Sequence, residues 1–262
     1  MASKLPTLFL AHGSPVNALA DNEFTRALKR LGDELPRPKA VLIVSAHWRS
    51  RTTKVLTIGE PKTIYDFSGF PKELSEIVYP AKGAASVALR VATLLTPFGA
   101  EDDESWGLDH GVWSVLRHMY PAADVPVVPL SINQRLHLDG HLAVASALRP
   151  LREEGVLIIG SGNITHNLGD IDWDENAAAQ KWATSFDARM AKALVARDED
   201  FLLKRQIGDY ASLWSRALPT AEHYIPLVYA YGASDPSDQV IFPYEGMQHG
   251  TLSMRCVQFG VK

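Results

Sequence analysis

Histidines that close apolar runs are the residues of this chain best placed to do chemistry. In LFLAHGSPVNAL, residues 8–11 run straight into His12. In AVLIVSAHWRS, residues 41–46 run into His47. In GVLIIGSGNITHNL, residues 156–159 are followed by Gly160, Gly162, Asn163 and then His166. Neutral imidazole is the commonest protein ligand for zinc, iron and copper, and it also serves as a general base. His12 and His47 follow the cleanest runs and are the first candidates for metal ligands. A third ligand has to come from elsewhere. The stretch LPTAEHYIPLVYA sets Glu222 beside His223 at the opening of an apolar helix, with Thr220 as a candidate cap. Adjacent helical residues point about 100° apart, so one of the two is expected to face the site. The stretch ESWGLDHGVWSVLRHMY places Asp109 and His110 at another helix start, between Gly107 and Gly111. Asp109 reads as the helix cap, and His110 as a donor of one hydrogen bond to an anionic oxygen. His118, His137, His141 and His249 have no such setting and read as surface or core residues.

Other chemical signatures are missing. There is no H-E-x-x-H helix and no C-x-x-C pair. The GSGN stretch lacks the Gly-Lys-Ser/Thr ending of a phosphate loop, and Thr165 stands where a dinucleotide fingerprint needs its third glycine. Ser14 is followed directly by Pro15 and lacks the Gly-x-Ser-x-Gly setting of a nucleophile, so it reads as a turn residue.

The elements that must position these histidines alternate in type. Short, β-branched runs at 7–11, 40–46, 54–58, 125–132, 155–159, 239–243 and 253–259 predict strands. Helical spacing predicts helices at 23–35, 84–95, 111–119, 139–154, 177–196, 213–217 and 223–231. Continuous apolar strands such as VLIIG belong in a sheet covered on both faces. The alternation predicts a three-layer α/β fold with a central mixed, mostly parallel sheet flanked by helices. No repeat, linker or low-complexity tract divides residues 1–262, which read as one domain. Ligands of open α/β sheets bind beyond the carboxyl ends of the strands, and His12, His47 and His166 are all expected there.

Composition narrows the function classes. The chain has 262 residues, 46% of them apolar, which is enough for a substantial core. A net charge of −4 with no basic block argues against a nucleic-acid partner or a membrane surface. No apolar run is long enough to span a bilayer, and the N-terminus has no signal-peptide pattern. The single cysteine, Cys256, fits a reducing, cytoplasmic setting.

Together the motifs LFLAHGSP, VSAHW, YDFSGFP, WGLDHGVW, GSGNITHNL and PTAEHYIPL resemble the LigB-type extradiol ring-cleavage dioxygenases, in particular the bacterial and plant 4,5-DOPA extradiol dioxygenase subfamily. The resemblance runs from Leu8 to the end of the chain and implies the LigB-like, phosphorylase/hydrolase-like α/β arrangement. It also implies a non-haem Fe(II) centre that zinc can occupy instead. Carried over by motif, His12, His47 and His223 match the metal ligands. His166 matches the family's base and is a further candidate ligand, and His110 matches a histidine near substrate and oxygen. The wider family uses two histidines and a glutamate, whereas here the third position falls on His223 with Glu222 beside it. The implied reaction inserts both atoms of O2 into a catechol and opens its ring to a muconate semialdehyde. The loop TIYDFSGFP is expected over the site. Tyr65, Phe67 and Phe70 are its candidates to stack on the substrate ring or else to pack within the loop, and Asp66 is its candidate to bind a substrate amine or else to shape the turn. Two other functions would use the same residues: a zinc hydrolase, or a non-enzymatic binding protein of the Memo type. The number of subunits is not readable from the sequence.

Overall fold

The structure is a computed structural model and describes residues 4–204 and 211–260. Ten strands are present among them: β1 (Thr7–Ala11), β2 (Ala40–Ser50), β3 (Lys54–Leu56), β4 (Glu101–Asp103), β5 (Val127–Asn133), β6 (Val156–Gly162), β7 (Val240–Tyr244), β8 (Met247–Gln248), β9 (Leu252–Ser253) and β10 (Cys256–Phe259). The helices are α1 (Glu23–Glu34), α2 (Ala85–Leu94), α3 (His110–Met119), α4 (Leu138–Ala147), α5 (Lys181–Ala196), α6 (Glu199–Leu203), α7 (Ala211–Ala217) and α8 (Ile225–Gly232).

Eight strands form one sheet in the order β4-β3-β5-β2-β6-β1-β10-β7. The four central strands β5, β2, β6 and β1 are mutually parallel, and β3 and β10 join them antiparallel. Alternate side chains of the central strands feed opposite layers, as the pleat requires. Leu8, Leu10, Val41, Ile43, Leu157 and Ile159 pack with Phe24 and Leu28 of α1 and Val112 and Leu116 of α3. Leu42, Val44, Val128 and Ile158 pack on the other face with Val144 of α4, Leu148 just after it and Tyr229 of α8. Phe9, Val257 and Phe259 extend that face onto α5, α7 and α8. The architecture is the expected three-layer, mostly parallel α/β arrangement, and no helix among the described residues is long and apolar enough to cross a membrane.

Several expected elements differ in detail, each for a local reason. The helix expected over 139–154 ends at Ala147, because Pro150 cannot continue it, and the chain tightens into a 3-10 turn at Arg149–Arg152. The strand expected at 40–46 runs on to Ser50, with a register shift against β5 between Val44 and Arg49. His47 therefore lies inside the strand, at the irregularity, rather than beyond its end. The strand expected at 253–259 divides into β9 and β10. The segment expected to be helical from 223 becomes α8 only at Ile225, with Pro226 in its first turn, so His223 sits in the preceding turn. Thr220 does not cap α8; its hydroxyl donates to Glu222 Oε1 at 2.7 Å. Strand β4 was not expected, since Glu-Asp-Asp has little strand character and forms the edge of the sheet, paired only with β3.

Candidate active site

The parallel strands end together, and that edge gathers the histidines. Gly13 follows His12 with φ +61°, a left-handed turn that a side chain would resist, and this turns the chain out of β1 at once. Gly160 and Gly162 lie within β6 and have a different purpose. A Cβ on Gly160 would stand 2.0 Å from the Pro226 carbonyl oxygen, and one on Gly162 would stand 2.1 Å from that of His223. The glycines let the turn before α8 lie directly on β6, where the Asn163 N–H donates to the His223 carbonyl at 2.9 Å. The GSG stretch thus seats His223 instead of cradling a phosphate. His110 is the first residue of α3, on the opposite layer.

Five imidazoles, those of His12, His47, His110, His166 and His223, converge on one cavity of about 690 Å³. Ring centroids are 5.0 Å apart for His12 and His47, 5.2 Å for His12 and His223, and 5.1 Å for His47 and His223. The His110 ring is closer to His47, at 3.9 Å, and the His166 ring stacks on His223 at 3.4 Å with its plane tilted only 6°. Ligand atoms of His12, His47 and His110 all lie within 4.8 Å of one another, as do those of His166, Glu222 and His223.

Hydrogen bonds around the rings assign their tautomers. Ser161 donates to the Gly111 carbonyl at 2.5 Å, so at 3.0 Å its oxygen accepts the proton on His12 Nδ1. Asp66 Oδ2 lies 3.2 Å from His47 Nδ1. Its Oδ1 accepts the His110 backbone N–H at 2.9 Å and lies 2.9 Å from His110 Nδ1. Burial would raise the Asp66 pKa, but the bonds from His110 and the neighbouring His47 outweigh it and hold the carboxyl at about 2. Ionised Asp66 therefore keeps the His47 proton on Nδ1. His223 Nδ1 lies 3.4 Å from Glu222 Oε1 in the same manner. The Nε2 atoms of His12 and His47 are then bare lone pairs, and they face each other at 3.2 Å. Two acceptors at that distance need a cation between them. A proton is disfavoured: burial and the surrounding histidines push His12 well below its ordinary value, and burial and His110 push His47 down to about 3. Burial likewise lowers His223 strongly, and lowers His166 to about 4. What remains is a cluster of neutral nitrogen donors suited to a divalent metal.

The spacing of the rings gives a second grouping, beside the one by ligand atoms. A metal–nitrogen bond of about 2.1 Å sets each ring centroid about 3.2 Å from an ion, so two ligating rings at 90–110° lie roughly 4.5–5.3 Å apart. His12, His47 and His223 could hold a metal on that criterion, since all three of their pairwise distances fall in the range. The 3.9 Å between His47 and His110 and the 3.4 Å between His166 and His223 fall short of it.

Residues 6–253 match the family described as the catalytic LigB subunit of aromatic ring-opening dioxygenase. The chain belongs to the LigB family. It is 42% identical to the 4,5-DOPA dioxygenase extradiol of Escherichia coli K12, over 99% of this chain and 96% of that protein. It is 36% identical to the protein of the same name from Beta vulgaris, over 97% and 96% of the two chains. A crystal structure of an uncharacterized protein from Escherichia coli K12 superposes with a TM-score of 0.84 at 39% identity, covering 98% of this chain and all of that one. The chain is accordingly a dioxygenase of this metal-dependent family, and neither a zinc hydrolase nor a non-enzymatic binding protein is favoured.

Within this LigB site, several residues stand differently from the sequence expectation. Asp66 was expected to take a substrate amine, but both its carboxylate oxygens are turned onto His47 and His110. Tyr65 does not line the cavity; its hydroxyl donates to the Ile77 carbonyl at 2.6 Å. Phe67 and Phe70 do line it, and Phe67 meets the His110 ring edge-on at 5.6 Å. Asp109 occupies the cap position of α3 without capping it. It is buried and accepts bonds from Ser45 Oγ at 2.6 Å and Trp106 Nε1 at 3.2 Å, with burial and Asp66 raising its pKa to about 6. That contact ties α3 to β2 beneath His47, whose backbone N–H donates to the same Ser45 at 3.2 Å. His249 was expected at the surface or in the core, yet it lines the cavity, with φ +53° and Nδ1 2.9 Å from the Asp172 carbonyl. Ser161, Ser45, Arg49 and Trp173 were not singled out by sequence. The first two are small polar residues inside apolar strands, a pattern that could have marked them as partners of a buried polar group.

Proposed function

We propose that this chain is an extradiol dioxygenase of DOPA-like catechols, with Fe(II) held by His12, His47 and His223. The observation that carries the reading is the near-equal spacing of those three rings, 5.0–5.2 Å, together with the outward tethering of their Nδ1 atoms by Ser161, Asp66 and Glu222. Ferrous iron there would supply the one-electron chemistry between ring and dioxygen that no side chain provides. Zinc would suit the same three neutral donors but has no redox chemistry to offer.

The chain's own residues divide the remaining work. His166 is the base: it lines the cavity, is held neutral at neutral pH by burial, and lies too close and too parallel to His223 to share its ligand role. It accepts a proton from a catechol hydroxyl, and the nearby Glu222 charge favours the imidazolium that results. His110, fixed at its backbone N–H and beside its Nδ1 by Asp66, offers its ring at the wall where substrate and oxygen meet. Phe67, Phe70, Leu168, Ile171, Trp173 and Leu252 give the cavity apolar sides that hold an aromatic ring and exclude water.

The test is anaerobic loading with Fe(II), followed by an oxygen electrode and absorbance measurements with a panel of catechols. Consumption of one O2 per catechol with the rise of a yellow ring-opened product is expected. Iron-loaded protein that consumes no oxygen with any catechol would overturn the reading.

A further inference from the structure

We propose that Arg49 binds the carboxylate of the substrate's side chain and thereby selects acidic catechols over neutral and cationic ones. The inference rests on the ring-cleavage reading and names the substrate feature that the same cavity recognises. Apart from its histidines, the cavity is lined by two charged residues, Arg49 and Glu222. Glu222 is already engaged by the Thr220 hydroxyl at 2.7 Å and lies 3.4 Å from His223 Nδ1. Arg49 is exposed, and among the described residues no carboxylate stands within ion-pair distance of it. A guanidinium with no ion-pair partner among the described residues, at the wall of a cavity it shares with the histidines and with apolar side chains, is a fork for a planar anion from outside.

Its place on the strand fits that use. Arg49 and His47 are two residues apart on β2 and both line the cavity, with no more than about 7 Å between their Cα atoms. A catechol ring seated at His47 and bearing a two- or three-carbon chain carries a terminal carboxylate outward by a comparable distance, within reach of a flexible arginine. The Arg49 charge on the cavity wall also opposes an ammonium-tailed catechol that has no carboxylate to offset it.

Two readouts test this. On zinc-loaded protein, which does not turn over, calorimetry gives the Kd of dihydroxyphenylpropanoate and of methylcatechol. On iron-loaded protein, kcat/KM is measured for the same pair, for L-DOPA and for dopamine. Arg49→Gln is expected to lower the acid-to-neutral preference roughly tenfold or more by both readouts, chiefly through Kd and KM. Arg49→Lys should recover part of it, because charge is kept and the fork is lost. Arg49→Glu should turn the preference toward dopamine. An acid-to-neutral ratio in Arg49→Gln within twofold of the parent, by binding and by turnover, overturns the proposal even if ring cleavage proceeds. A binding ratio that depends on Arg49 in a protein that cleaves no catechol upholds Arg49 as the carboxylate partner and overturns the ring-cleavage reading instead.

Discussion

Replacing Asp66 with asparagine separates two roles for one carboxylate. Sequence alone offers Asp66 as the partner of a substrate amine, whereas in the structure its Oδ2 is 3.2 Å from His47 Nδ1 and its Oδ1 accepts the His110 N–H at 2.9 Å. Asparagine is nearly isosteric but keeps one acceptor. If that oxygen stays on the His110 N–H, the amide NH2 is turned toward His47 Nδ1, and two donors then oppose each other. The conflict is relieved only by moving the imidazole proton to Nε2, the nitrogen that faces His12 at 3.2 Å. A protonated Nε2 cannot ligate. Loss of a carboxylate that orients a ligating histidine typically costs 10–100-fold in metal affinity, or about 1.4–2.7 kcal/mol. The upper part of that range is expected here, because the amide opposes the needed tautomer as well as losing the charge. Competition with a chromogenic chelator gives the affinity directly, without any substrate. Should Asp66→Asn hold metal within twofold of the parent and lose only KM for amine-bearing catechols, the tautomer argument is wrong and the amine-binding role is right.

Further expectations follow from the same geometry. His47→Ala should lose metal and ring cleavage together while circular dichroism shows the fold intact; full metal content would remove His47 from the ligand set. His166→Ala should keep its iron, measured by elemental analysis, and lose turnover by roughly 10²–10⁴-fold, whereas an iron-free variant would make His166 a ligand. Gly160→Ala should cost about 1–3 kcal/mol in urea unfolding, because its Cβ would meet the Pro226 carbonyl at 2.0 Å, and it should weaken metal binding by displacing the His223 turn. The metal-free protein should lose stability on acidification, partly through His141, which burial lowers from 6.5 to about 4. Its contribution is whole above pH 6.5 and falls away as the pH drops toward 4, because the unfolded chain takes up the proton first. At pH 5 the loss is about 2 kcal/mol, and His141→Gln should flatten the pH dependence of urea unfolding by that amount.

The strands and the alternation of layers were legible because continuous runs such as VLIIG admit little but a covered sheet. That His12 and His166 lie at one edge followed from the parallel order. The position of His47 was less legible, since a strand irregularity between Val44 and Arg49 depends on pairing with β5 and leaves no mark in local composition. The cluster beyond the strands was legible by type and not by contact. Asp109 looks like a cap in sequence, but Ser45 and Trp106 claim its oxygens from other segments. The serines behind the rings were missed because Ser161 sits between two glycines and reads as loop. The glycines look like ligand-binding punctuation until α8 is seen lying against them. His249 was passed over because its place in the cavity depends on a left-handed backbone and a contact with Asp172, neither of which its neighbours in sequence announce.

The most direct test of the central claim is isotopic. Iron-loaded protein is given a catechol under ¹⁸O2 in ordinary water, and the ring-opened product is trapped before its aldehyde exchanges oxygen with solvent. Two labelled oxygens in each product molecule are predicted, one in the new carboxylate and one in the aldehyde. A product that carries no label under ¹⁸O2, and gains it only from labelled water, would contradict the account and make the histidine cluster a hydrolytic centre.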